Sequence, residues 1–121
     1  MKNKKTLVLG ATTDPTRYAN LAINRLVAYG HDVVAIGRDE GAVKGVPIET
    51  EQKPFEGVDT VTLYLRPSNQ KEYYDYIVSL NPQRIIFNPG TENPELWDLA
   101  RKNAIEPVYG CTLVMLSAAQ Y

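Results

Sequence analysis

Thr6-Leu7-Val8-Leu9-Gly10-Ala11-Thr12-Thr13-Asp14-Pro15, residues 6–15, is the stretch on which the fold turns. Thr6–Leu9 runs without polar alternation into a glycine, the pattern of a strand buried on both faces of a parallel sheet. A polar loop, Ala11 to Thr16, follows. From Tyr18 to Tyr29 the apolar residues fall at Ala19, Ala22, Ile23, Leu26 and Val27, which is one face of a helix. Gly30 closes that helix, because glycine accepts the left-handed conformation of a C-terminal cap. Val33-Val34-Ala35-Ile36 is a second strand. Strand, glycine loop, helix and strand together make the first βαβ unit.

Working outward, residues 37–57 read as loop, with a short extended piece at Val46-Pro47-Ile48. Val58–Leu65 is the third strand and ends at Arg66-Pro67. Ser68 is the expected cap of a second helix with the stripe Tyr73, Tyr76, Ile77 and Leu80, broken at Asn81-Pro82. Arg84–Phe87 is the fourth strand, ended by Asn88-Pro89-Gly90. Asn93 caps a third helix with Pro94 in its first position and Leu96, Leu99 and Ala100 on its apolar face. Glu106–Tyr109 is the fifth strand. The expectation is one α/β domain over residues 1–121, a doubly wound, mostly parallel five-stranded sheet, Rossmann-like, in strand order 3-2-1-4-5. The switch point then lies between strands one and four. The loops at 10–17, 37–45, 65–68 and 88–93 converge on the C-terminal edge.

Composition narrows the function. Of 121 residues, 44% are hydrophobic and 22% charged, with a net charge of -1. That balance excludes the broad basic face of a nucleic-acid binder and the basic patch that anchors to anionic membranes. No apolar run reaches the length of a membrane span, and the N-terminal segment lacks the apolar stretch of a signal peptide. The default expectation is a cytoplasmic protein. One cysteine (Cys111) and one histidine (His31) exclude a disulfide within the chain and any metal site built on two histidines. Ser68, Ser79 and Ser117 carry no GxSxG elbow, and no nucleophile has a base beside it. The chain is therefore expected to bind rather than to catalyse. His31, at the far end of the strands from the crevice, is read as exposed and structural. Cys111, just beyond the fifth strand, is read either as a structural thiol or as a contact for a ligand thiol.

Four segments are the candidate site. Gly10-Ala11-Thr12-Thr13 can bring backbone N–H groups and hydroxyls to an anion ahead of a helix, with Arg17 at the helix entrance. It has one glycine where GxGxxG has three, so an ordinary strand-to-helix turn stands beside that reading. Gly37-Arg38 stands at the end of strand two, where NAD-binding folds place an acid. A cation there suits a phosphorylated ribose, that of NADP or of coenzyme A. Asp39 and Glu40 follow at once, which leaves the alternative of a solvated loop arginine. Lys44 is a second candidate for the same phosphate. Leu65-Arg66-Pro67 and Asn88-Pro89-Gly90 form the remaining rims.

The succession strand-Gly10-Ala11-Thr12, helix, strand, Gly45-Val46-Pro47-Ile48, strand-Leu65-Arg66-Pro67, helix, strand-Asn88-Pro89-Gly90, helix, strand, Cys111 resembles the stand-alone CoA-binding domain proteins. These are similar to the CoA-binding Rossmann domain of succinyl-CoA synthetase alpha subunits. The resemblance runs from about Lys5 to Cys111 and lies in the order and spacing of these segments. It implies a cofactor, coenzyme A or an acyl-CoA, with its phosphates at Gly10-Ala11-Thr12. Arg17 would help there, and the pantetheine and adenine path would follow Leu65-Arg66-Pro67 and Asn88-Pro89-Gly90. The chain departs from the family at Gly37-Arg38, where Asn-Pro is usual, and at Asn88, where Gln is common. It departs again in the apolar tail Thr112-Leu113-Val114-Met115-Leu116, which is expected to pack on the domain or on a partner. Two rival functions stay open: an NADP- or NAD-binding module, and an interaction subunit without a nucleotide. The tyrosines Tyr73, Tyr74 and Tyr76, Trp97 and the apolar tail offer contacts for a homo-oligomer or protein partner.

Overall fold

The computed structural model describes residues 2–121. The chain runs β1 (Thr6–Ala11), α1 (Tyr18–Ala28), β2 (Val33–Gly37), β3 (Gly41–Val43), β4 (Val46–Glu49) and β5 (Thr60–Leu63). It continues through α2 (Pro67–Gln70), a 3₁₀ turn at Lys71–Tyr73, α3 (Tyr74–Leu80), β6 (Arg84–Phe87), α4 (Pro94–Lys102), β7 (Glu106–Tyr109) and α5 (Thr112–Ser117). The apolar runs at Thr6, Val33, Val58, Arg84 and Glu106 all carry strands, and β6 and β7 keep the expected bounds.

The sheet differs from the expectation in number and order. It has seven strands in the order β3-β4-β2-β1-β5-β6-β7. The segment expected to be loop folds into a hairpin, β3 with β4, the antiparallel pair of an otherwise parallel sheet. Lys44 at φ 54° and Gly45 at φ 80° make its two-residue turn, which needs a positive φ at both positions. Val43, Val46 and Ile48 turn inward at 7%, 7% and 3% exposure, a period-two pattern that closes the hairpin over the core. β4 then pairs with β2, Ala35 opposite Ile48. It fills the place assigned to the Val58–Leu65 strand, and that strand, β5, lies on the other side of β1 with Val8 opposite Thr62. The switch point is therefore between β1 and β5.

Both faces of the sheet are covered, which is why its central strands are mostly apolar, with Thr6, Thr60, Thr62 and Arg84 the buried exceptions. Leu7, Leu9, Leu63, Ile85 and Phe87 face α3 and α4 through Tyr76, Ile77, Leu96 and Ala100. Val8, Ala35 and Ile86 face α1 through Ala19, Ile23 and Leu26. The apolar tail packs on this second face: it forms α5, whose Leu116 is 1% exposed against the α1 side. Asn93 caps α4 as expected, its Oδ1 accepting from the N–H groups of Glu95 and Leu96. Ser68 is not a cap; the second helix opens at Pro67, two residues earlier than expected, with Arg66 in the cap position. Proline has no N–H to leave unpaired there.

His31 is buried, not exposed. The chain folds back so that the Tyr121 ring covers it edge-on, with centroids 4.9 Å apart. Arg84 lies on the same ring at 4.3 Å and donates from Nε to the Thr60 hydroxyl at 2.8 Å. The Lys4 N–H donates to His31 Nδ1 at 3.0 Å, so the ring proton sits on Nε2, which has no acceptor among the described residues. Burial, reinforced by the charges of Lys4 and Arg84, holds the imidazole pKa below its ordinary value. The unfolded chain therefore takes up this proton first, and stability should fall as the pH drops through about 6.5, the ordinary histidine value. Urea denaturation at pH 7.5 and 5.5 should show the loss in the natural chain and a flatter response in His31→Gln. Equal slopes in the two would exclude His31 as the source.

Candidate functional site

At the C-terminal edge the sheet opens where β1 parts from β5. β1 breaks register against β2 after Leu9, so that Ala11 rather than Gly10 pairs with Gly37. Gly10 sits at φ 100°, and a Cβ on it would lie 2.9 Å from the Tyr64 backbone. Gly37 is constrained by space alone: a Cβ there would lie 2.2 Å from the Ala11 carbonyl oxygen. The two glycines let the ends of β1, β2 and β5 approach closely and leave a cleft of about 270 Å³ beside them.

Gly10, Gly37, Arg38 and Leu65 line this cleft, four positions picked from three separate segments of the sequence. Ile36, Thr50, Asn69, Glu72 and Tyr73 complete it. Sequence reasoning missed these five as site residues. Tyr73 carried a signal, since three tyrosines in four residues cannot all enter the core. Asn69 and Glu72 lie on the α2 and 3₁₀ segments, whose break from a regular helix left no periodicity to read.

The other expected positions lie around the cleft. Ala11 is buried, Thr12 half-buried, and Thr13 and Arg17 exposed. The loop is braced from within: the Asp14 N–H donates to the Thr12 hydroxyl at 3.1 Å, and Asp14 Oδ1 accepts from the Thr16 N–H and hydroxyl at 2.9 and 2.7 Å. The Thr16 hydroxyl, then its N–H, hold the Asp14 carboxyl below the usual carboxylate range. Arg66, Pro67, Pro89 and Gly90 form an exposed rim. The Gly90 N–H is taken by Glu92 Oε1 at 2.8 Å.

Asn88 is only 2% exposed and its carboxamide is used internally. It donates to the Thr62 hydroxyl at 2.7 Å and the Leu63 carbonyl at 2.9 Å, and accepts from the Thr112 N–H at 2.9 Å. It thus ties β5, β6 and the head of α5 together behind the rim. Cys111 sits half-buried at that head. The edge carries mixed charge. Arg17, Arg38 and Arg66 are exposed there beside Asp14, Asp39 and Glu40, Glu72 stands in the cleft wall, and among the described residues the one ion pair is Lys53 with Glu49 at 3.1 Å.

A covered parallel sheet with a glycine-lined cleft at its switch point defines a Rossmann-like domain. The sequence matches the CoA binding domain family over residues 4–117, and the chain belongs to that family. A solved structure described only as an uncharacterized protein is 55% identical, with each chain covered in full and a TM-score of 0.97. A Thermus thermophilus protein of 23% identity aligns over 98% of this chain and 91% of its own, with a TM-score of 0.88. The dinucleotide-forming acetyl-coenzyme A synthetase 1 of Ca. Korarchaeum cryptofilum, in complex with phosphate and ADP, shares the fold at 17% identity and a TM-score of 0.71. The alignment spans 90% of this chain and 26% of that one. No curated protein matches the chain.

Gly37→Ala tests the backbone approach on which the cleft depends. Relieving a 2.2 Å contact with a carbonyl requires the strands to move apart, at a cost of about 1–3 kcal/mol. Urea denaturation should show that loss, whereas a change below about 0.5 kcal/mol would be that of an ordinary surface site.

Proposed function

We propose that this protein binds coenzyme A or an acyl-CoA without transforming it. The observation that carries the reading is the meeting of Gly10, Gly37, Arg38 and Leu65 in one cleft at the β1–β5 switch. Membership of the CoA binding domain family supports it. The cleft, at about 270 Å³, is small beside pockets that enclose a drug-sized ligand, so it suits one part of a long cofactor. Arg38 in its wall suits the 3′-phosphate on the ribose, and Tyr73 offers a ring face to the base. The diphosphate belongs at the Gly10-Ala11-Thr12-Thr13 turn, with Arg17 at the helix entrance. The pantetheine arm leaves the diphosphate beside the Arg66 N–H and runs outside, over Leu65-Arg66-Pro67 and Pro89-Gly90.

The ligand should have a negative salt dependence, since exposed arginines meet its phosphates. Titration calorimetry with CoA, acetyl-CoA, NADP and NAD tests the reading. CoA and acetyl-CoA should bind, and Arg38→Ala should weaken them about tenfold or more, the worth of a charged hydrogen bond of about 1.5–3 kcal/mol. Binding of NADP alone would transfer the site to a nicotinamide cofactor. Unchanged CoA affinity in Arg38→Ala would remove that residue from the site.

A further inference from the structure

Two buried carboxamides stand behind the rim, and neither touches the cleft. Asn20, 6% exposed on α1, donates from Nδ2 to the Thr12 carbonyl at 3.1 Å. Gln70, 0% exposed at the end of α2, donates from Nε2 to the Leu65 carbonyl at 2.7 Å and to the Thr91 carbonyl at 2.8 Å. Each is itself held in place. The Asn20 oxygen accepts from Asn24 at 3.1 Å, and the Gln70 oxygen accepts from Asn93, whose Nδ2 also donates to the Tyr74 hydroxyl at 2.8 Å.

In a trans peptide the C=O of one residue and the N–H of the next point in opposite directions, and the chain has no cis peptide bond among the described residues. A carbonyl drawn inward therefore turns the following N–H outward. Asn20 draws in the Thr12 carbonyl, so the Thr13 N–H points away from α1. Gln70 draws in the Leu65 carbonyl, so the Arg66 N–H points away from the core. Among the described residues neither N–H has a hydrogen-bond partner, and Thr13 and Arg66 are both exposed. They stand on the loops that leave β1 and β5, one on each side of the switch point.

We infer that Asn20 and Gln70 are positioning residues. Each locks one rim peptide so that its N–H is presented, already oriented, to the phosphate oxygens of the ligand. The inference deepens the coenzyme A reading and rests on it. Orienting the donors before binding spares the ligand the cost of ordering them. Gln70 does more than Asn20, because it joins the loop after β5 to the loop after β6 and fixes their separation.

The test is ¹⁵N-resolved NMR titration with CoA and, separately, with inorganic pyrophosphate. It is run on the natural chain and on Asn20→Leu and Gln70→Leu, with Gln70→Met, which keeps the length and volume but has no donor, as a variant less prone to misfold. In the natural chain both ligands should shift the Thr13 and Arg66 amides. The variants should lose at least tenfold in affinity for both ligands and lose the shift at the amide each one controls, while the remaining resonances stay dispersed. CoA binding that leaves both amides unmoved, or variants that bind as the natural chain does, would overturn the inference and leave the coenzyme A reading standing. Pyrophosphate moving both amides while CoA fails to bind would do the reverse. No response to either ligand would overturn both.

Discussion

Between the Ala11 carbonyl and Gly37 there is no room for a side chain, and the molecule is arranged around that fact. The contact lets β1 and β2 run together to their very ends. The break after Leu9 then swings Gly10 against the Tyr64 backbone, so the end of β5 is drawn in from the other side. Three chain segments that leave a sheet in different directions are thereby brought to one cleft.

Much of the architecture was legible because parallel strands covered on both faces are mostly apolar, and helices packed on them carry a stripe. Ile85-Ile86-Phe87 and the Leu96 and Ala100 face of α4 show this directly. The hairpin escaped notice because its turn is Lys44-Gly45 rather than an asparagine–glycine pair, and its strands of three and four residues are too short to establish a period. Missing it displaced β5 across the sheet and moved the switch point by one strand. Four residues of the cleft could be picked from the chain because each lies at or just beyond the end of an apolar run. Asn69 and Glu72 could not, because an irregular segment brings them there.

The polar residues divide between those exposed at the C-terminal edge of the sheet and those that hold that edge still. Asn88, Gln70 and Asn93 lie in the second group, each with its hydrogen bonds filled inside the chain. A buried carboxamide with partners on two or three elements sets their separation, and nothing in a linear sequence distinguishes it from one that faces solvent. At the opposite end of the strands, His31, Arg84 and Tyr121 do comparable work by stacking, and close the sheet away from the crevice.

The outermost strands have a consequence for the behaviour of the protein at high concentration. β3 is three residues long, and β7 carries Pro107, which has no N–H to offer a neighbouring chain. Both margins of the sheet are thus poor templates for further strands, one through brevity and the other through a missing donor. With a net charge of -1 there is little repulsion between copies, so the form of these two margins is what the sheet sets against edge-to-edge pairing.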